Sequence, residues 1–226
     1  MKEGYMKKKP WKKAVVYVID DDEQVNKAIS RLLKAAGYQY ETFSSAQEFL
    51  DAALKQAEAC CALLDIRMPG MNGIELQRHL VEKNSGIPVI FITGHGDVEN
   101  SVDAFRNGAL DFLTKPFNDN QLLASIDKAL LKSYEDKFRR EMLETARKGY
   151  NRLTSREREV FSGVVRGLLN KTIAGMTGIT ETTVKVHRAR VMDKMQALSV
   201  AQLVRMSVLL VDAGLIDRDE IKLPER

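Results

Sequence analysis

From residue 14 onward, short apolar runs alternate with amphipathic stretches. The runs fall at Ala14 to Ile19, Tyr38 to Thr42, Cys60 to Leu64, Pro88 to Ile92 and Leu110 to Leu113, each of strand length and rich in β-branched residues. Between them, apolar positions recur every three or four residues over 24–36, 45–57, 72–83, 98–107 and 119–131, a spacing that predicts helices. Strand and helix repeated in this way predict an α/β fold, a flavodoxin-like (βα)5 unit whose parallel sheet is covered by helices on both faces. The helical spacing continues through Leu131, Tyr134, Phe138, Met142 and Ala146 to Gly149, which predicts a helical linker, either one continuous helix or a partly frayed one.

Residues 153–211 then read as four helices with no strand. One runs to about Gly167, a short one spans Asn170 to Met176, a turn follows at Gly178 to Thr180, and a longer helix runs from Glu181 to Met195. Thr154 or Ser155 can cap the first of these, with acids in its opening turn. The expected organisation is a basic N-terminal tail 1–13, an α/β domain 14–131, a linker 132–150, an all-α domain 151–212 and a polar tail 213–226.

The polar residues that interrupt this pattern sit where strands end. Asp20 and Asp21 follow the first strand, Asp65 the third, Thr93 the fourth and Lys115 the fifth. In open α/β sheets ligands bind outside the carboxyl ends of the strands, so these residues point at one pocket. Crowded carboxylates repel, and the pocket must either raise a carboxyl pKa or recruit a cation; a few hard oxygen ligands suit Mg2+, which keeps water and leaves room for phosphate. A carboxylate nucleophile beside a divalent ion, an ammonium and a hydroxyl is what phosphoryl transfer to a side chain requires. Asp65, on the central strand, is the natural nucleophile, and Asp22 is the spare acid of its run. Taken singly, Thr93 reads as an ordinary strand-end Thr and Lys115 as a surface charge.

Charge divides the chain. The net charge of +4 conceals an acidic stretch over 14–130 and a basic one over 151–212, which suggests different partners. Helix, tight turn and helix in a basic context suggest a DNA reader. At 100° per residue, Val184, His187, Val191 and Met195 face inward, whereas Thr182, Val186 and Ala189, flanked by Thr183, Lys185 and Arg190, form a side that can enter a major groove. Lys171 is expected on a phosphate, and Arg188, angled toward the core edge, on a phosphate or an ion pair. His187 reads as a packed, hydrogen-bonded residue. Cys60 and Cys61 are adjacent in a strand, so they face opposite sides of the sheet; a structural disulfide is not expected and a reducing compartment fits. No run approaches the roughly 20 apolar residues of a spanning helix, and the Lys-rich start (Lys7, Lys8, Lys9, Lys12, Lys13) lacks a signal-peptide core, so the expected location is cytoplasmic with no membrane partner.

The runs VIDDDE, LLDIRMPGMNG, FITGHGD and DFLTKPF resemble, in order, the receiver domain of bacterial two-component response regulators. LTSREREV, GLLNKTIA and TETTVKVHRARVMDKM resemble the LuxR-type helix-turn-helix, and together the two halves resemble the NarL/FixJ class, with FITGHGD leaning toward the FixJ-like branch. The resemblance implies that Asp65 is the phosphoacceptor. It also implies that Asp21, Asp65 and the main-chain carbonyl of Arg67 hold Mg2+ with Asp20 assisting through water. Thr93 and Phe112 would be the switch pair, and Lys115 would contact the phosphoryl group, with a cis peptide before Pro116. The implied partners are a sensor histidine kinase, double-stranded promoter DNA, a second copy of the chain on phosphorylation, and RNA polymerase as a candidate; the implied role is transcription regulation, with no catalysis beyond the chain's own Asp phosphorylation and dephosphorylation. Thr177 departs from the family, which usually has Leu there. Two rivals stand beside this reading. A haloacid-dehalogenase-type phosphatase would carry a D-x-D signature, but Asp65 is followed by Ile66 and Arg67. A helical half that docks on protein would lack the steep salt dependence of a DNA binder.

Overall fold

The computed structural model describes residues 10–52, 57–94 and 108–221. The expected helix at 98–107, the His95 to Asp97 part of one motif, Lys7 to Lys9 of the basic start, and residues 222–226 lie outside the described residues. The chain divides into two compact units, Met1–Lys137 and Phe138–Arg226.

In the first unit, strands β1 (Ala14–Ile19), β2 (Gln39–Phe43), β3 (Ala59–Asp65), β4 (Val89–Thr93) and β5 (Asp111–Thr114) form one parallel sheet in the order β2-β1-β3-β4-β5. Helices α1 (Glu23–Ala35), α2 (Ala46–Asp51), α3 (Gly73–Glu82) and the first part of α4 (Asp119–Asn151), as far as Lys137, complete its described elements. The apolar runs are continuous because the central strands are covered on both sides. On one face Tyr17, Leu64 and Phe91 pack with Phe49 of α2 and Leu76 of α3. On the other, Val18, Leu63 and Ile92 pack with Leu33 of α1 and Leu122 and Ile126 of α4. Burying one such side chain fully contributes roughly 1.5–3 kcal/mol, so these two layers hold the strand ends in place. Cys60 and Cys61 fall in different layers, and neither is in a disulfide.

The helices begin where the sequence supplies caps. Asp22 accepts from Gln24 N at 2.8 Å, Ser45 caps α2, and Asn72 with Glu75 forms a capping box at α3. The helix expected over 45–57 ends at Asp51, with Ala52 already extended. The helix begun at Asp119 continues unbroken to Asn151, the continuous form of the two that the spacing left open. The supposed N-terminal tail is tied down at its end: Trp11 packs against Tyr134 with ring centroids 6.2 Å apart, and Lys12 N donates to Glu58 at 2.7 Å.

The second unit contains α5 (Ser155–Val165), α6 (Asn170–Thr177), α7 (Glu181–Lys194) and α8 (Val200–Asp212). Its core joins Val160, Phe161, Ile173, Val184, Val191, Met195, Leu203 and Leu210 with Ala146 and Tyr150 from the end of α4. Gly178, at φ 68°, closes α6 in the left-handed conformation that a tight turn between helices needs and that glycine adopts without a Cβ penalty. The Thr177 hydroxyl donates to the Ile173 carbonyl at 2.7 Å, so the polar residue at this position is satisfied within its own helix. Residues 213–221 are not a free polar tail, since Ile216 is buried and Ile221 packs on the core.

Candidate functional site

The sheet order reverses between β1 and β3, and there Asp20, just after β1, comes beside Asp65, the last residue of β3. Both carboxylates are buried, at 3% and 7% exposure. Lys115 follows β5 and reaches both of them, with Nζ 2.6 Å from Asp20 Oδ2 and 2.8 Å from Asp65 Oδ1. Each carboxylate spends its second oxygen on its own loop: Arg67 N donates to Asp65 Oδ2 at 2.7 Å and Asp22 N to Asp20 Oδ1 at 2.9 Å. Thr93 ends β4, fully buried, and its carbonyl accepts from Lys115 N at 2.6 Å, which fixes the segment that carries the lysine. The Lys115–Pro116 peptide is cis, as the resemblance implied.

Burial pushes the Asp65 carboxyl above its ordinary value; the hydrogen bond and charge of Lys115 pull it down, neighbouring Asp20 raises it further, and the Arg67 N–H lowers it. The Lys115 ammonium loses something to burial, but the two carboxylates outweigh this and hold its pKa above the ordinary lysine value. The group facing Asp65 is therefore a full cation shared with a second acid.

Asp21 is exposed and lines, with Arg67 and Asn72, a 590 Å3 depression beside Asp65. Asp22 serves as the cap of α1, which gives the spare acid a structural task. Phe112 is partly buried in β5, in the layer that holds Phe91, Met68 and Ile66. Among the described residues, no group of three or more Asp, Glu, His or Cys side chains converges closely enough to hold a metal unaided. Of the acids, Asp21 lines the depression, with buried Asp20 and Asp65 at the neighbouring strand ends, and such hard oxygen donors suit Mg2+ completing its shell with water.

Two positioning residues carry no sequence signal of their role. A Cβ at Gly73 would lie 2.2 Å from the Asp65 carbonyl oxygen, and Gly73 N donates to the Ile66 carbonyl at 3.0 Å, so only a glycine lets α3 start this close to the end of β3. The Asn72-Gly73 pair signals a turn, but nothing in it signals the contact. Asn26 donates to the Asp20 carbonyl at 2.7 Å from the first turns of α1, and nothing in its neighbourhood along the chain marks it out.

In the second unit, α7 presents Thr182, Lys185, Val186, Ala189 and Arg190 to solvent and buries Val184 and Val191, with Met195 buried at its C-cap, as the angular positions predicted. Val186 is 47% exposed, high for an apolar residue on a helix whose other side is packed. Thr183 is half-buried and belongs to the cap, with its hydroxyl 2.8 Å from that of Thr180. Lys171 is exposed on α6, while Arg188 donates to Asn170 Oδ1 at 3.0 Å, a hydrogen bond to a neutral amide in place of an ion pair. His187 is half-buried, and its Nδ1 has no hydrogen-bond partner among the described residues, contrary to the hydrogen-bonded histidine expected.

Glu157, 2% exposed in α5, accepts from Lys194 Nζ at 2.6 Å and from the N–H and hydroxyl of Thr154 at 2.8 Å and 3.0 Å. Burial alone raises its pKa, yet Lys194 and Thr154 together hold it down at about 2.

Both units are similar to known proteins. Residues 16–127 match the response regulator receiver domain, and residues 151–207 match the luxR family of bacterial regulatory proteins. The chain is 42% identical over 200 residues to the response regulator protein TodT of Pseudomonas putida, covering 88% of each chain. It is 41% identical over 205 residues to the transcriptional regulatory protein FixJ of Azorhizobium caulinodans, covering 91% of this chain and 95% of that one. Among solved structures it is similar to the response regulator StyR, with a TM-score of 0.70 at 43% identity over 87% of this chain and 98% of StyR. Full-length FixJ from B. japonicum gives a TM-score of 0.54 at 40% identity, over 90% and 98%.

Proposed function

Because the chain belongs to the response regulators of the NarL/FixJ class, transcription regulators that join a receiver domain to a LuxR-type DNA-binding domain and have no metabolic substrate, we propose that Asp65 is the residue through which it is switched. The observation that carries this is the Asp20–Lys115–Asp65 cluster at the point where strand order reverses. One Asp65 oxygen attacks the phosphorus of a donor, the bond to the donor's leaving group breaks, and the acyl phosphate remains on the chain. Arg67 N–H keeps the other oxygen oriented, and the Lys115 ammonium is at hand for the oxygens that arrive. Asp21, Asp65 and the Arg67 carbonyl, with Asp20 through water, would hold Mg2+, which would neutralise charge on the transferred group. Thr93 offers its hydroxyl from the end of β4, and space it leaves on moving is taken by Phe112, which has an apolar ring and no hydroxyl to hold it outside.

Moving an equilibrium from 1:99 to 99:1 takes about 5.5 kcal/mol of differential stabilisation. Charge-assisted hydrogen bonds contribute roughly 1.5–3 kcal/mol each, so contacts from Thr93 and Lys115 made only in the phosphorylated state nearly suffice. The donor would be a sensor histidine kinase, and the response a homodimer that binds paired sites on promoter DNA in the cytoplasm, within reach of RNA polymerase. Thr182, Lys185, Val186, Ala189 and Arg190 would enter the major groove; Thr183, Lys171 and Arg188 would lie at its edge or on phosphates. The receiver would span 14–131, the linker 132–150 and the DNA-binding domain 151–212.

The test treats the full chain and Asp65→Asn with Mg2+ and acetyl phosphate and follows solution size and duplex DNA affinity. The native chain is expected to shift toward dimer and to bind DNA more tightly, and the variant to do neither. An equal response of the variant would place the switch elsewhere.

A further inference from the structure

The second unit carries a groove that neither the Asp65 pocket nor the exposed side of α7 uses. It lies between α5 and α6, with a volume of 510 Å3 and an apolar wall formed by Leu168, Ile173 and Met176. Met176 is 62% exposed, and the neighbouring Leu169 is 75% exposed. The rim is cationic, with Arg156, Arg158 and Arg166 set against Glu159 as its acid. Arg156 consumes that acid at 2.8 Å and also donates to the Thr177 carbonyl at 3.2 Å, while Arg158 lies 4.8 Å from the centroid of the Tyr150 ring. Arg166 is different: its Nε is buried and has no hydrogen-bond partner among the described residues. Arg166 also has no acid paired with it among the described residues, and as a half-buried residue lining the groove its guanidinium can donate a short, charge-assisted bond to a carboxylate arriving from outside.

We infer that this groove is a docking site for an acidic segment of a partner protein that also carries an apolar side chain. The apolar side chain fits against Leu168, Ile173 and Met176, where the flexible thioether adapts to its shape, and a carboxylate meets Arg166. Charge complementarity selects an acid, and the apolar wall selects a peptide over a nucleic-acid backbone, whose phosphates gain nothing from Leu168 and Met176. The exposed cations on α6 and α7, Lys171, Lys185 and Arg190, are not part of the groove, so docking and DNA binding draw on separate residues.

The experiment uses the full chain and fluorescence anisotropy with three probes: a labelled peptide combining Glu with Leu at helical spacing, the same peptide with Ser for Leu, and a mixed-sequence DNA duplex. The Glu/Leu peptide is expected to bind saturably and the Glu/Ser peptide about tenfold more weakly. Arg166→Gln and Met176→Ser are each expected to weaken the Glu/Leu peptide about tenfold, at unchanged melting temperature and unchanged duplex affinity. Absence of peptide binding, equal binding of the two peptides, or variants that bind like the native chain would overturn the inference. Loss of duplex affinity in Arg166→Gln would also overturn it, assigning the groove to DNA.

Discussion

Asp65 with Lys115 and Glu157 with Lys194 are chemically the same pair, at 2.8 Å and 2.6 Å, and both carboxylates are buried, yet their pKa values move in opposite directions. The difference lies in how many donors each acid has to itself. Lys115 divides its charge between Asp20 and Asp65, so burial prevails at Asp65. Glu157 has Lys194 and both donors of Thr154, and these outweigh its burial. A carboxylate short of donors has capacity left for a cation or a phosphoryl group. One that is fully supplied is a lock between the start of α5 and the end of α7.

The largest effect is expected at the lock. Lys194→Met leaves a buried carboxylate facing apolar atoms and is expected to destabilise its unit by about 3 kcal/mol, read from urea unfolding. A native midpoint in that variant would mean that the pair holds nothing. Gly73→Ala comes next. Its Cβ must displace the end of β3 from 2.2 Å, at a cost of about 2 kcal/mol typical of overpacking, and phosphoryl uptake should fall with it. If uptake stayed native, the close approach would not be positioning Asp65.

Mg2+ sharpens the contrast between the pairs. At ten times its dissociation constant it should stabilise the first unit by about 1.4 kcal/mol, an effect removed by a chelator or by Asp21→Asn and absent from unfolding of the second unit. Acid provides a test of opposite reach. Glu157 has its pKa lowered from 4.5 to about 2, so the unfolded chain binds the proton first; the stability this confers is fully present above pH 4.5 and is lost as pH falls toward 2. Acid unfolding of the second unit should therefore flatten between those values in Glu157→Gln relative to the native chain. The smallest effect is expected at Asp22→Ala, about 1 kcal/mol from a lost cap, with phosphoryl uptake intact. A variant that lost uptake would move Asp22 from the cap into the pocket.

Much of the fold and of the pocket is legible in the order of residues alone. Apolar spacing places β1 to β5 within one or two residues, because strands buried on both faces read as uninterrupted runs, and strand ends then place Asp20, Asp65 and Lys115 in one pocket. What escapes depends on approach in space. The sharing of Lys115 spans 95 residues and 50 residues of chain, and the Lys194 to Glu157 contact spans 37, distances over which no periodicity carries information. Gly73 looks like a turn residue because its role is set by a backbone that lies beside it only after folding. Arg188 is angled as expected, but its neutral partner Asn170 comes from another helix. The segments expected as tails are partly packed because single apolar residues, Trp11 and Ile216, have no neighbours that form a pattern.

Trapping the acyl phosphate distinguishes Asp65 from the other acids of the cluster as the group that takes the phosphoryl. The chain is treated with acetyl phosphate and Mg2+, the acyl phosphate is reduced with borohydride to leave homoserine, and the peptides are sequenced by mass spectrometry. Homoserine at position 65 alone is the predicted result. Homoserine at Asp20 or Asp21 with Asp65 unchanged would contradict it.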